Sequence, residues 1–315
     1  MPRTVIARQY GDIADLEITD LAASPLEPGH VRLTVRAAAI NPADLKRLRG
    51  EFGRSEKSLP LRLGSEVSGV VTEVSPDAVG PAGAIAVGDE VVGYRVSGGF
   101  AAELVAPADS VLPKPPSLGW SEAAGLLVGA VTAFHLVEAA GIGEGDRVIV
   151  HGASGAVGLT AVQLARLRGA EVIGTVSAGR EDALRAFGAV PVLYGPGLEE
   201  RLRALLPDGA DAALDTIGSD EALDASVALV RDRSRVVTVA GFARAAELGI
   251  RLLGNGPGAD PGTALRSDAR LPMLQLAGDG LLIGPPVIEF PLEQVQKAMT
   301  LVAGGHAGGK VVLLP

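Results

Sequence analysis

The stretch that most limits what this chain can become is Asp146-Arg-Val-Ile-Val-His-Gly-Ala-Ser-Gly-Ala-Val-Gly158, followed by Leu159 to Arg168. Val148, Ile149 and Val150 form a short apolar run suited to a buried strand, and a glycine turn follows. Val157, Ala161, Leu164, Ala165 and Leu167 then recur close to helical spacing. A strand that turns tightly into a helix presents unpaired N–H groups at the helix start, and these favour a phosphate. The spacing Ala153-x-Gly155-x-x-Gly158 matches the dinucleotide fingerprint with alanine at the first glycine. In this reading Gly155 and Gly158 allow close backbone approach to a pyrophosphate and close helix packing. Ser154, Ala156 and Val157 offer backbone N–H groups. A plain structural turn is the alternative, and the surrounding chain weighs against it.

From Arg147 onward strands and helices alternate. Strands are expected at Val148 to Val150, Val172 to Val176, Val190 to Tyr194, Ala212 to Asp215, Val236 to Ala240 and Ile250 to Leu253. Helical patterns fill the gaps, which predicts a doubly wound parallel sheet, since parallel strands need crossover connections. Residues 1 to 115 read differently. Val31-Arg-Leu-Thr-Val-Arg alternates apolar and polar residues, and the short strands around Ser68, Asp89 and Ala101 are punctuated by glycine and proline. This is the pattern of a small barrel-like domain. Pro113 to Pro116 marks a boundary, Ser117 to Ala140 reads as a long apolar helical region, and a charged loop over 51–57 can act as a lid. A chain ending on a strand, Lys310 to Leu314, after the parallel sheet is complete is expected to return to the first domain. The fold class is therefore α/β, with domains at 1–116 plus 256–315 and at 117–255.

Composition removes several functions. The net charge of −9 argues against nucleic-acid binding, and 3% aromatic residues leave little for base stacking. The chain has no cysteine, which excludes disulfides, thiolate zinc sites, iron–sulfur clusters and a cysteine nucleophile. Neither a signal peptide nor a run of ~18 apolar residues is visible, so a cytoplasmic protein off the membrane is expected. Gly152-Ala-Ser-Gly-Ala lacks the Gly-x-Ser-x-Gly spacing of hydrolases.

The motifs Asn41-Pro-Ala-Asp-Leu-Lys, Leu63-Gly-Ser-Glu-Val-Ser-Gly69, Val87-Gly-Asp-Glu-Val, Gly98-Gly-Phe-Ala-Ala-Glu103, Ala130-Val-Thr-Ala-Phe134, the turn at 151–158 and the ending Gly309-Lys-Val-Val occur in one order. With them the chain resembles the medium-chain dehydrogenase/reductase superfamily, and within it the zinc-independent quinone oxidoreductases. The resemblance covers nearly the whole chain. It implies a GroES-like β-barrel catalytic domain beside a Rossmann domain, with substrate and nicotinamide meeting between them. Zinc-bearing relatives have a histidine where Ser65 stands and a cysteine near Asn41. The structural zinc loop is also missing after Gly98-Gly99. His30, His135, His151 and His306 match no metal-ligand spacing, so no metal is expected. Without zinc to polarise an alcohol, reduction of an activated conjugated carbonyl is favoured.

Cofactor choice is read about 20 residues beyond the glycine turn. Gly174-Thr-Val-Ser-Ala-Gly-Arg180 carries no acid for a ribose diol. Arg180 can grip a 2′-phosphate and Ser177 can donate to it, and Tyr194 matches a tyrosine the relatives place near that phosphate. NADPH is the expected cofactor; Arg180 as a solvated residue at a helix start is the alternative. By family position Asn41 is the candidate catalytic residue, holding a carbonyl or a cofactor hydroxyl, and an ordinary turn role stays open for it. Thr132 is carried over likewise, and Gly241 and Phe242 are expected to flank the nicotinamide. Lys46 and Arg47 read equally as an exposed basic pair, and Asp215 as a strand-end cap. The expected activity is NADPH-dependent reduction of a small-molecule quinone or enone by a homodimer paired through the strand near Ile250 to Leu253. A non-catalytic NADPH-binding regulator and an enoyl-thioester reductase are the alternatives.

Overall fold

A computed structural model describes residues 2–21, 24–305 and 307–315; His306, weighed above as a metal ligand, lies outside them. The chain divides into two units, Met1–Val128 with Leu271–Pro315, and Gly129–Arg270.

The first unit opens with β1 (Arg3–Ala7) and β2 (Leu16–Asp20), an antiparallel pair that β4 (Leu61–Arg62) extends on the other side of β1. Its longest strand is β3 (His30–Ala39), where the alternation seen in the sequence places Val31, Leu33 and Val35 in the core. Helix α1 (Pro42–Arg49) follows, with proline in its first turn, where no N–H is required, and Gly50 in the left-handed region at its end. The loop over 51–57 is tied down by the Ser55 N–H, which donates to Tyr10 Oη at 2.9 Å. Next come β5 (Glu66–Val74), a small hairpin of β6 (Val79–Gly80) and β7 (Gly83–Ala84), then β8 (Glu90–Tyr94), β9 (Glu103–Pro107) and β10 (Val111–Pro113). Helix α2 (Trp120–Ala124) packs on β3 and β5, which carries the first unit beyond the prolines at 113–116. The continuous helix expected over Ser117 to Ala140 breaks at Gly125. A Cβ there would sit 2.7 Å from Lys310 Cγ, so the glycine makes room for that lysine stem.

Helix α3 (Leu127–Ala139) leads into the second unit. β11 (Arg147–His151), α4 (Ala156–Leu167), β12 (Glu171–Val176), α5 (Glu181–Ala186), β13 (Val190–Leu193), α6 (Leu198–Leu205), β14 (Ala212–Asp215), α7 (Asp220–Leu229), β15 (Val236–Thr238), α8 (Ala245–Leu248), β16 (Arg251–Leu252) and α9 (Thr263–Asp268) alternate as the pattern predicts. All six strands run parallel in the order β13-β12-β11-β14-β15-β16. β11 is central and apolar on both faces, with Val148, Ile149 and Val150 fully buried, as a helix-covered parallel strand requires. The chain order reverses between β11 and β14, the switch point where such sheets open a crevice at their carboxyl ends.

Helix α10 (Arg270–Gly278), β17 (Val287–Pro291), α11 (Val295–Ala303) and β18 (Lys310–Leu314) then return to the first unit. β18 pairs antiparallel with β3 and parallel with β17, closing a seven-stranded sheet. The first unit has its own core around Leu33, Leu63, Phe100 and Val311, and the second has one around Ile149, Leu202 and Val236.

The turn from β11 into α4 leaves no steric slack. Gly152 takes φ +73°, and a Cβ on Gly158 would lie 2.1 Å from the Gly152 carbonyl oxygen. Gly158→Ala must push the helix start away from the strand end, at a cost of about 2–3 kcal/mol by the scale of overpacked cores. Urea unfolding measures it, and an unchanged midpoint would mean the turn relaxes freely.

Candidate functional site

In the second unit the candidate residues gather where β11, β12, β13 and β15 end. The Gly152 N–H donates to Thr175 Oγ1 at 3.1 Å, and the Ala153 N–H to the Thr175 carbonyl at 3.0 Å. Thr216 Oγ1 donates to the His151 carbonyl at 2.7 Å. These bonds hold the turn rigid while its outer N–H groups stay unengaged. Among the described residues, no backbone acceptor meets the N–H of Ser154, Ala156, Val157 or Gly158. Helix α4 carries no acidic side chain in its first turn, and a Cβ on the exposed Gly155 would meet nothing closer than 3.4 Å. A twelve-residue helix thus presents free donors and the positive end of its dipole to open space, which suits a diphosphate.

Behind the turn His151 is fully buried. Its Nδ1 lies 3.3 Å from Thr175 Oγ1, the same hydroxyl that accepts from the Gly152 N–H. Burial pushes its pKa down to about 4, against the opposing pull of Asp215 and Glu221, and the ring is neutral near pH 7. Asp215 is a cap that joins two strand ends. It accepts from the Ile217 and Gly218 N–H groups and from Thr238 Oγ1, and Thr238 Oγ1 in turn accepts from Ala240 and Gly241. Gly241 is buried and Phe242 exposed, with residues 254–256 running beside the phenyl ring. Thr132 is half-buried on α3, one turn beyond Gly129, whose Cβ position lies 3.2 Å from the Ala156 carbonyl oxygen.

Ser177 and Arg180 close a turn after β12, with the Arg180 N–H donating to the Ser177 carbonyl at 3.2 Å. The Tyr194 N–H donates to the carbonyl of Val176 at 3.2 Å, which brings the half-exposed tyrosine beside Ser177. These three residues are therefore neighbours on the surface, although 17 positions separate Ser177 from Tyr194.

In the first unit Asn41 belongs to a buried polar cluster that sequence reasoning did not assemble. Its Nδ2 donates to Glu66 Oε2 at 3.3 Å and its Oδ1 accepts from Lys310 Nζ, which also lies 3.4 Å from Glu66 Oε2. Glu66 Oε1 accepts from the Val128 N–H at 2.8 Å. Asp44 accepts from the N–H groups of Asn41 and Gly64. All four side chains are buried. The available signal was charge in the wrong place: a glutamate opening an apolar strand and a lysine of opposite sign opening another. Lys46 and Arg47 lie in the last turn of α1, where cations suit the helix dipole.

Among the described residues the histidines do not converge. His30 Nδ1 lies 3.0 Å from the Pro28 carbonyl, and His135 sits between Asp260 and Arg266. Among the described residues no group of three or more His, Asp or Glu could hold a metal.

Burial raises the Asp44 pKa from 3.8 to about 6, against the backbone bonds from Asn41 and Gly64 and the charge of Lys310, with Glu66 adding to the rise. The folded protein thus binds a proton between pH 4 and 6 that the unfolded chain has released. Asp44 therefore contributes stability that is lost as pH climbs through that window, by ~3 kcal/mol in all. His151 contributes the opposite slope, losing stability as pH falls from 6.5 towards 4, and does so equally in an Asp44 variant. Asp44→Asn should gain on the natural protein by that amount between pH 4 and 6.5 in unfolding titrations. Parallel stability–pH curves would contradict the assignment.

Two family models match the chain, an alcohol dehydrogenase GroES-like domain over residues 27–116 and a zinc-binding dehydrogenase over 156–256. The chain is 35% identical to the spectinabilin polyketide synthase system protein NorB of Streptomyces orinoci over 96% of its length, while spanning only 14% of that protein. It is 30% identical to 2-methylene-furan-3-one reductase of Solanum lycopersicum, covering 97% of this chain and 77% of that enzyme. Among solved structures, the quinone oxidoreductase from Coxiella burnetii superposes with a TM-score of 0.83 at 25% identity, covering 100% of this chain and 99% of that one. With the parallel sheet, the phosphate-ready turn and these matches together, the chain belongs to the medium-chain dehydrogenase/reductase superfamily, quinone oxidoreductase type, a family of oxidoreductases that bind a nicotinamide cofactor.

Proposed function

We propose that this protein is an NADPH-dependent reductase of quinones or other α,β-unsaturated carbonyls that works without a metal. The observation that carries the reading is the surface triad of Ser177, Arg180 and Tyr194 at the end of β12 and β13, with no carboxylate between Val176 and Arg180. A 2′-phosphate finds there a guanidinium fork, a hydroxyl donor and an aromatic edge. A ribose diol would find no acceptor of the usual kind. Metal independence is supported by the absence of cysteine and by Ser65 at the position of a zinc-ligating histidine in relatives.

The free N–H groups of Ser154, Ala156, Val157 and Gly158 hold the diphosphate in this reading. Gly241 and Phe242 flank the nicotinamide, and Thr132 and Asn41 serve the same end. When bound, the reduced nicotinamide supplies the hydride. The chain's own contribution is to orient, to exclude water and to stabilise the developing enolate. Asn41 suits the last task. Its Oδ1 accepts from a lysine ammonium, which draws electron density from the amide and sharpens its remaining N–H as a donor.

The carbonyl class is supported by the relative named for reduction of a 2-methylene-furan-3-one, itself a conjugated enone. A second reading, reduction of enoyl thioesters, is favoured by the match to a polyketide synthase protein. No helix is long and apolar enough to cross a membrane among the described residues. A homodimer paired through β16, the two-residue strand at one edge of the parallel sheet, completes the proposal.

NADPH oxidation followed against a quinone panel, an enone panel and an enoyl-thioester panel tests the activity. Turnover with quinones or enones, and about tenfold or greater preference for NADPH over NADH in kcat/KM, is expected. Thioester-only turnover selects the second reading, and a preference for NADH overturns the cofactor assignment. Light scattering in solution should report twice the chain mass; a monomer at all concentrations removes the dimer.

A further inference from the structure

Arg201 occupies a position that electrostatics disfavours. It lies in the first turn of α6, next to Glu199 and Glu200, where a helix's positive end repels a cation. Its guanidinium instead folds back over the preceding loop. Nε and Nη2 donate to the Leu193 carbonyl at 3.1 and 2.9 Å, Nη2 also to Gly195 at 2.7 Å, and Nη1 to Pro196 at 2.8 Å. One side chain thus gathers three carbonyls around Tyr194. From the other direction, Glu221 Oε2 accepts from the Gly195 N–H at 2.9 Å, and Val176 accepts from the Tyr194 N–H. The loop needs such restraint, since Gly195 and Gly197 take φ +102° and +84° and would otherwise leave this segment with wide conformational freedom.

We propose that Arg201 is the positioning residue for 2′-phosphate recognition, clamping the 193–197 loop so that the Tyr194 ring is held beside Ser177 and Arg180. The inference rests on the cofactor reading above and extends it to a residue that touches no ligand. A planar fork with five N–H groups in fixed directions can gather three carbonyls at once; a lysine ammonium cannot match that geometry. Loss of the clamp frees the loop, and a ligand must then order it on binding. The penalty falls on the part of the cofactor that meets Tyr194 and spares the diphosphate seat on α4.

Titration calorimetry with 2′,5′-ADP and with 5′-AMP tests this without turnover. The natural protein should bind 2′,5′-ADP about tenfold or more tightly than 5′-AMP. Arg201→Met should weaken 2′,5′-ADP about fivefold or more and leave 5′-AMP within about twofold, the scale of losing one to two net hydrogen bonds. Arg201→Lys, the milder change, should fall between. In a Tyr194→Ala background Arg201→Met should add nothing further, because both act through one ring. Equal weakening of both ligands, no weakening of either, or full additivity with Tyr194→Ala would overturn the clamp. A natural protein that does not discriminate between the two ligands removes the cofactor reading itself, and the clamp with it, before any variant is made.

Discussion

The contact between the Gly158 backbone and the Gly152 carbonyl governs the second unit. Only a residue without a side chain lets α4 start this close to the end of β11. That closeness aims the unpaired N–H groups of the helix across the carboxyl edge of the sheet instead of into solvent at an arbitrary angle. Thr175 fixes the same turn from the neighbouring strand, and Asp215 with Thr238 fixes the ends of the two strands beyond it. The whole rim is therefore held by side-chain to backbone bonds from within the sheet, and ligand binding need not organise it. His151, buried beneath, stays neutral near pH 7, so the positive end of the helix dipole is the local electrostatic feature at the turn.

The first unit solves a different problem, keeping opposite charges in an apolar interior. Glu66 and Lys310 are both out of water, and neither would be tolerated alone. Their pairing leaves each with further partners: Asn41 for both, and the Val128 N–H for Glu66. The Asn41 amide is thereby oriented at both ends, its Nδ2 by Glu66 and its Oδ1 by Lys310.

What the sequence discloses and what it hides separate along physical lines. The central parallel strands were legible because burial on both faces writes continuous apolar runs such as Val148 to Val150, and β3 because its alternation sorts Val31, Leu33 and Val35 inward. β1 and β2 passed unnoticed, being five residues each with weak patterning. The need for glycine at 125 could not be read locally, because it comes from the stem of Lys310, which arrives 185 positions later. The buried cluster was hidden for the same reason, as Asn41 and Lys310 are 269 positions apart. The glycine turn was legible as a motif, Ser177 and Arg180 by their distance beyond it and Tyr194 by resemblance, but Arg201 looked like any solvated helix arginine. Only the path of the loop reveals that its carbonyls face inward.

The last strand's return to β3 has a kinetic side. Pairing Val312 with Ala39 closes a chain loop that holds the entire second unit. Left unfolded, that insert would make the closure slow, because the entropy of joining ends grows with the length between them. Once the parallel sheet has formed, Gly129 and Arg270 are joined by a folded body and only the segments 40–128 and 271–311 remain to be closed. The buried lysine thus meets its carboxylate across a span that contains a whole second core, so the two units share one closing contact without sharing an interior.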